Sequence, residues 1–109
     1  MKATEFRIGN LVNYDGNVIR LELEHFADFY HYPAENRKYD YIPLTEERLL
    51  KFGFESLLSG AGYVQNCTEI GYNHNGFYII ASGLKIKYVH QLQNLYFALT
   101  GEELTTKTD

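Results

Sequence analysis

Two dipeptides constrain this chain more than anything else in it. They are Asp15-Gly16 and Asn75-Gly76, each set between runs of alternating apolar residues. An Asx-Gly pair suits the centre of a type I′ turn, where both residues need φ > 0, and such a turn joins two antiparallel strands. In "LVNYDGNVIRLEL" that turn pairs Tyr14 with Asn17, Val12 with Ile19 and Asn10 with Leu21. Val12, Tyr14, Ile19, Leu21 and Leu23 then share one face, while Arg20, Glu22 and Glu24 fall on the other. A slip by one residue would reverse every side chain, so the register is well specified. In "EIGYNHNGFYIIA" the same logic pairs His74 with Phe77, Tyr72 with Ile79 and Ile70 with Ala81. A short strand at Tyr63–Val64 follows the Gly/Ser-rich stretch "SLLSGAG", and "GLKIKYV" adds another after the second hairpin.

Two helices complete the pattern. "PLTEERLLKFGF" predicts one over about 45–52. Thr45 is the N-cap, and Glu46 and Glu47 lie at the positive end of the helix dipole. Leu44 staples onto Leu49, and Gly53 takes the left-handed position that ends the helix. Two turns cannot stand alone in water, so the helix must pack on a sheet, through Leu49, Leu50 and Phe52. The second helix spans about 88–100 and stops at Gly101. Tyr88, Val89, Leu92, Leu95, Tyr96 and Leu99 form its core stripe. The expected fold is therefore α+β: a small antiparallel sheet of two or more hairpins packed with a short helix and a C-terminal helix. The lead-in "RIGNLV" suits half of an SH3-like barrel at the N-terminus. With 109 residues, roughly two-thirds of the unfolded surface can be buried. One globular domain over 1–104 and a polar tail over 105–109 follow.

The aromatic segment 26–41 is harder to place. Tyr30/Tyr32 and Tyr39/Tyr41 alternate around "PAENRK", as a second, looser hairpin or as an aromatic loop. Pro33 and Pro43 confine it to an edge strand or a loop. Phe26, Phe29, Tyr30, Tyr32, Tyr39 and Tyr41 either fill a small core or turn their rings toward a partner.

The C-terminal helix asks a second question. From Tyr88 to Gly101 no residue is charged, in a chain that is 22% charged. Opposite its core stripe stand His90, Asn94 and Phe97. A solvated face tolerates Lys and Glu, whereas an uncharged face with one large aromatic fits burial on both sides. The cover is either the N-terminal strands or another chain. His90, Asn94 and Phe97, with Tyr30, Tyr32, Tyr39 and Tyr41, are the candidate interface residues.

Other chemistry is weakly signalled. A net charge of −4 with scattered cations argues against a phosphate-binding surface. No apolar run approaches the roughly 20 residues that span a bilayer, and "MKATEFRIGN" lacks the apolar region of a signal peptide. Cys67 is the sole cysteine, so no internal disulfide forms and the cytoplasm is the expected compartment. His25, Asp28 and His31 match no zinc spacing. Cys67 with His74 lacks an oxyanion loop. "SGAG" (59–62) precedes no helix that would cradle phosphate. The residues point to no metal, no cofactor and no catalytic set.

"EFRIGNLVNYDG" (5–16), "IPLTEERLLKFGF" (42–54) and "KYVHQLQNLYFALTGEEL" (87–104) resemble three blocks of one family. Its members are small uncharacterised proteins from genomes, prophages and mobile elements of gut anaerobes. That family tends to place an aromatic after "LTEE", where this chain has Arg48, so no binding role is carried to position 48. The resemblance implies mobile-element provenance and no catalytic residues. The expected function is a non-enzymatic interaction or accessory protein of a phage or mobile element. It would meet a protein partner or a second copy through the C-terminal helix, with neither nucleic acid nor membrane as its partner. The rival readings are a nucleic-acid-binding module using the Tyr-rich segment 26–41 and an enzyme with an unrecognised site.

Overall fold

A computed structural model describes residues 6–31, 39–57, 62–66 and 68–105, with the backbone alone over 28–31. The two Asx-Gly hairpins belong to two different antiparallel sheets. The first is built on β1 (Leu11–Tyr14) and β2 (Asn17–Arg20). Val12 pairs with Ile19 and Tyr14 with Asn17, as the turn chemistry requires. Asp15 (φ 50°) and Gly16 (φ 89°) both take the positive φ of a type I′ turn. The ladder runs on past the strand ends, where Leu21 N–H donates to the Asn10 carbonyl at 2.8 Å and Gly9 N–H to the Leu21 carbonyl at 2.8 Å.

Beyond Leu21 the chain departs from expectation. It forms α1 (Leu23–His31) where a strand continuation and then a hairpin or loop were anticipated. His25 explains the start. Its Nδ1 accepts the Glu22 N–H at 2.8 Å, the back-reaching bond that closes a capping box, and Glu24 sits in the first turn. Leu23, expected on the inner face of the hairpin, is exposed at the head of the helix. The chain returns as β3 (Tyr39–Asp40), which pairs with β1 on its free side. The order β2-β1-β3 is an open three-stranded sheet, not a closed SH3-like barrel, among the described residues. Phe6, Val12, Leu21 and Tyr39 form its core.

α2 (Glu46–Lys51) has the caps its sequence predicts. Thr45 Oγ1 accepts the Arg48 N–H at 3.2 Å. Gly53 N–H reaches the Leu50 carbonyl and Phe54 N–H the Leu49 carbonyl, each at 3.0 Å, which is the Schellman arrangement. Gly53 sits at φ 93°. Leu49 and Phe52 are buried, but Leu50, expected to pack inward, is exposed, because so short a helix buries only one side. Gly53→Val should cost about 1 kcal/mol or more, since a β-branched residue resists that conformation. A urea titration would show it as a lower midpoint with an unchanged slope.

The second sheet is a meander of five strands in chain order: β4 (Glu55–Ser56), β5 (Gly62–Gln65), β6 (Thr68–Asn73), β7 (Gly76–Ile79) and β8 (Lys85–Ile86). Here the register corrects the sequence reading by two residues. Ile70 pairs with Ile79 and Tyr72 with Phe77, so His74 and Asn75 make the turn. Asn73 Oδ1 accepts the Asn75 N–H at 2.8 Å, and the positive φ falls on Gly76, at 108°. An Asx-type bond thus competes successfully with the Asn-Gly preference. A shift of two keeps every side chain on its expected face, so Ile70 and Ile79 still point into the core.

α3 (Val89–Thr100) lies between the sheets. Gln91 Oε1 takes the N–H groups of Lys87 and Tyr88, and Gly101 (φ 74°) ends the helix. Val89, Leu92 and Tyr96 join Ile42, Leu44, Leu49, Phe52, Ile70 and Ile86 in the larger core. Residues 42–44 run alongside 87–89, with Val89 N–H donating to the Ile42 carbonyl and Leu44 N–H to the Lys87 carbonyl, each at 2.9 Å. Among the described residues no helix is long and apolar enough to cross a membrane.

Candidate interaction surface

The uncharged face of α3 packs against the chain's own N-terminal segment. Asn10 and Gln93 are wholly buried and meet there. Gln93 Oε1 accepts the Leu11 N–H at 2.8 Å, and Gln93 Nε2 donates to the Gly9 carbonyl at 3.3 Å. Asn10 Nδ2 donates to Asn94 Oδ1 at 2.8 Å. Arg7 clamps the end of this seam. Its guanidinium forms a two-pronged pair with Glu103, donates to the Gln93 carbonyl at 3.1 Å and lies 4.4 Å from the centre of the Phe97 ring. Amides suit this place because each can satisfy a buried backbone group, whereas a lysine or glutamate would bring an unpaired charge.

His90 sits in a cluster of rings. Its imidazole centre is 4.4 Å from Phe6, 5.5 Å from Tyr41 and 5.9 Å from Tyr88. Tyr41 is half-buried and stacks on Tyr88 at 4.5 Å with 17° between planes. Tyr39 lies in the other core, 5% exposed, with its ring 4.7 Å from Tyr14. Tyr30 falls in α1, where only the backbone is described, and Tyr32 and Cys67 lie outside the described residues. Of the candidate interface residues, the structure thus gathers His90, Asn94 and Tyr41 into internal contacts. Phe97 was expected to be covered and is instead 42% exposed, with Arg7 over one ring face. Among the described residues no three His, Cys, Asp or Glu side chains come together as a metal site.

The open apolar surface lies on the other flank of α3. Ile79 N–H bonds the Leu84 carbonyl at 2.8 Å and Gly83 N–H the Ile79 carbonyl at 2.7 Å. That tight turn, with Gly83 at φ 74°, holds Ile80 and Leu84 outward. Leu84 is 64% exposed, Leu99 50% and Ile80 40%. Two clefts share Leu95 as a wall. One, of about 390 Å³, runs between Leu84, Ile86, His90, Gln91 and Asn94. The other, of about 360 Å³, is bordered by Ile79, Ile80, Ala81 and Leu99. Thr68 also lines it, and the Thr68 hydroxyl oxygen is buried without a hydrogen-bond partner among the described residues. The apolar walls of the two clefts, bordered by polar side chains that include Lys85 in the first and Glu69 and Ser82 in the second, suit the side chains of an incoming amphipathic segment.

Sequence reasoning missed this strip. Leu99 continues the period of Leu92 and Leu95, so it reads as core. The signal was present in "YIIASGLK". Two adjacent isoleucines in a strand cannot both face inward, and Ser82-Gly83 marks a turn that leaves Leu84 outside.

Comparison of the chain with protein-family models, curated proteins and solved structures gives no match.

Proposed function

We propose that this chain is a non-enzymatic interaction or accessory protein of a phage or mobile element, resident in the cytoplasm. In this reading it holds a partner protein through the flank of α3 formed by Ile80, Leu84, Leu95 and Leu99. The observation that carries the reading is the grouping of three exposed large aliphatic side chains along one rigid helix and its neighbouring turn. Such side chains scattered singly need no explanation, but gathered beside two clefts they favour a docking surface. The occupant is an amphipathic helix or strand of another protein. The likeness of 5–16, 42–54 and 87–104 to small mobile-element proteins supports the provenance.

The nucleic-acid reading is less well supported. Tyr39 is committed to the core and Tyr41 to its stack with Tyr88, so neither offers a free ring face to a base. The net charge of −4 supplies little counterion release to drive phosphate binding.

A Leu84→Asp/Leu99→Asp double variant tests the reading. Both side chains are solvent-facing, so the variant should melt within about 1 kcal/mol of the wild type. Immobilised wild-type protein should retain a specific species from a lysate of the native host, and the variant should lose it. Retention of the same species by both would count against this flank. Wild-type dimers that dissociate in the variant, seen by light scattering, would assign the flank to self-association instead.

A further inference from the structure

A third cleft, distinct from the two beside α3, opens where the turn end of the five-stranded sheet meets the start of α2. Tyr63 on β5 stands opposite Ile70, and Tyr72 on β6 stands opposite Phe77 on β7. Residues 70 and 72 share a face of β6, so Tyr63, Tyr72 and Phe77 all project to the same side of the sheet. Leu44, Thr45 and Glu46 close that side, and the six residues line a cleft of about 270 Å³. The Phe77 ring lies 4.9 Å from Tyr72 at 51° and 6.5 Å from Tyr63 at 53°. Rings so tilted form walls rather than a flat stack. Tyr72 is 58% exposed, which leaves the cleft open to solvent.

The charge at this cleft is one-sided. Desolvation, then the hydrogen bond its hydroxyl gives to Glu46 and the charge of that carboxylate, push the Tyr63 phenol above its ordinary value. The Tyr63 hydroxyl, donating to Glu46, holds that carboxylate beside the rings. Among the described residues no lysine or arginine pairs with Glu46, and none stands over these three rings. The described ion pairs are Arg7 with Glu103 and Lys51 with Glu47, and the described cation–ring contact is Arg7 with Phe97.

We propose that this cleft binds a quaternary ammonium group, held by the faces of Tyr63, Tyr72 and Phe77 and neutralised by Glu46. Ring faces attract cations through their quadrupoles, and aromatic walls with a carboxylate are how such heads are recognised. An anionic ligand would be repelled by Glu46. A neutral apolar group would desolvate that carboxylate without compensation. A bare ammonium carries three donors that must exchange water for protein acceptors, and the ring faces that form most of the cleft supply none. A fully methylated head has no donors to satisfy. Trimethyllysine on a partner protein and a free choline-type molecule share this chemistry.

Titrations followed by the ring resonances of the three aromatics test the site. The probes are choline, its neutral tert-butyl isostere, a trimethyllysine peptide and the same peptide with unmodified lysine. Both quaternary probes should shift the Tyr63, Tyr72 and Phe77 signals and bind about tenfold tighter than their neutral or unmethylated counterparts. Tyr72→Ala and Glu46→Gln should each weaken binding severalfold while both variants keep the circular dichroism spectrum of the folded wild type. A peptide that binds more tightly than choline assigns the head to a partner protein, and the reverse order assigns it to a small molecule. Equal binding of choline and its isostere would overturn the proposal, as would the absence of ring shifts at millimolar probe.

Discussion

Gln93→Leu should destabilise the protein by about 2–4 kcal/mol, although it places an apolar residue at a wholly buried position of a helix. Intrinsic propensity predicts no loss, since leucine is at least as good a helix former as glutamine. The structure predicts otherwise. Gln93 takes the Leu11 N–H and gives to the Gly9 carbonyl, and both are main-chain groups of a segment pressed against α3. Leucine would leave the buried Gly9 carbonyl and the part-buried Leu11 N–H unpartnered, at about 1–3 kcal/mol each before relaxation. The effect should appear as a lower urea midpoint with an unchanged slope. An unchanged midpoint would mean that the N-terminal segment does not dock where the structure places it.

Gly62→Ala should be comparably damaging, at about 3 kcal/mol. A Cβ at position 62 would lie 2.2 Å from the Ile70 carbonyl oxygen and 3.2 Å from the Gly71 Cα. Both obstacles are backbone of the adjoining strand, so no side-chain rotation relieves them and β5 must shift away from β6. Gly71→Ala provides the internal comparison. Its Cβ would meet the Tyr78 ring at 2.3 Å, and that ring is a half-buried side chain that can swing aside. Thermal melts should therefore rank Gly62→Ala well below Gly71→Ala, which lies below wild type. The reverse order would contradict the pairing of β5 with β6.

What could be read from the sequence was local. The β1–β2 register followed from Asp15-Gly16 because one buried face and one turn type leave a single solution. The α2 caps followed from Thr45 and Gly53 because those residues act on backbone groups a few positions away. The β6–β7 register came out two residues off, because Asn73 captures the Asn75 N–H and moves the turn. α1 was missed because aromatic residues alternating around "PAENRK" imitate a strand, while its start depends on His25 doing the work of a capping glutamate. The burial of the first half of α3 on two sides, through His90 and Gln93, was legible in its lack of charge, whereas Phe97 in the second half is exposed. What covers the first half was not legible, because Asn10 and Gln93 are brought together only by the tertiary fold. The exposure of Leu99 was also hidden, since periodicity gives a direction along a helix and not the extent of the surface it packs on.

A partner seated as proposed would cover the Ile80, Leu84 and Leu99 flank. Carbene footprinting of the captured complex against the free protein reads that cover, residue by residue. Strong protection is expected at Ile80, Leu84 and Leu99, with Val18 and Leu23, exposed on the N-terminal sheet and α1, labelled equally in both states. Unchanged labelling of the flank, with protection falling on Val18, Leu23 or another face, would contradict that seating.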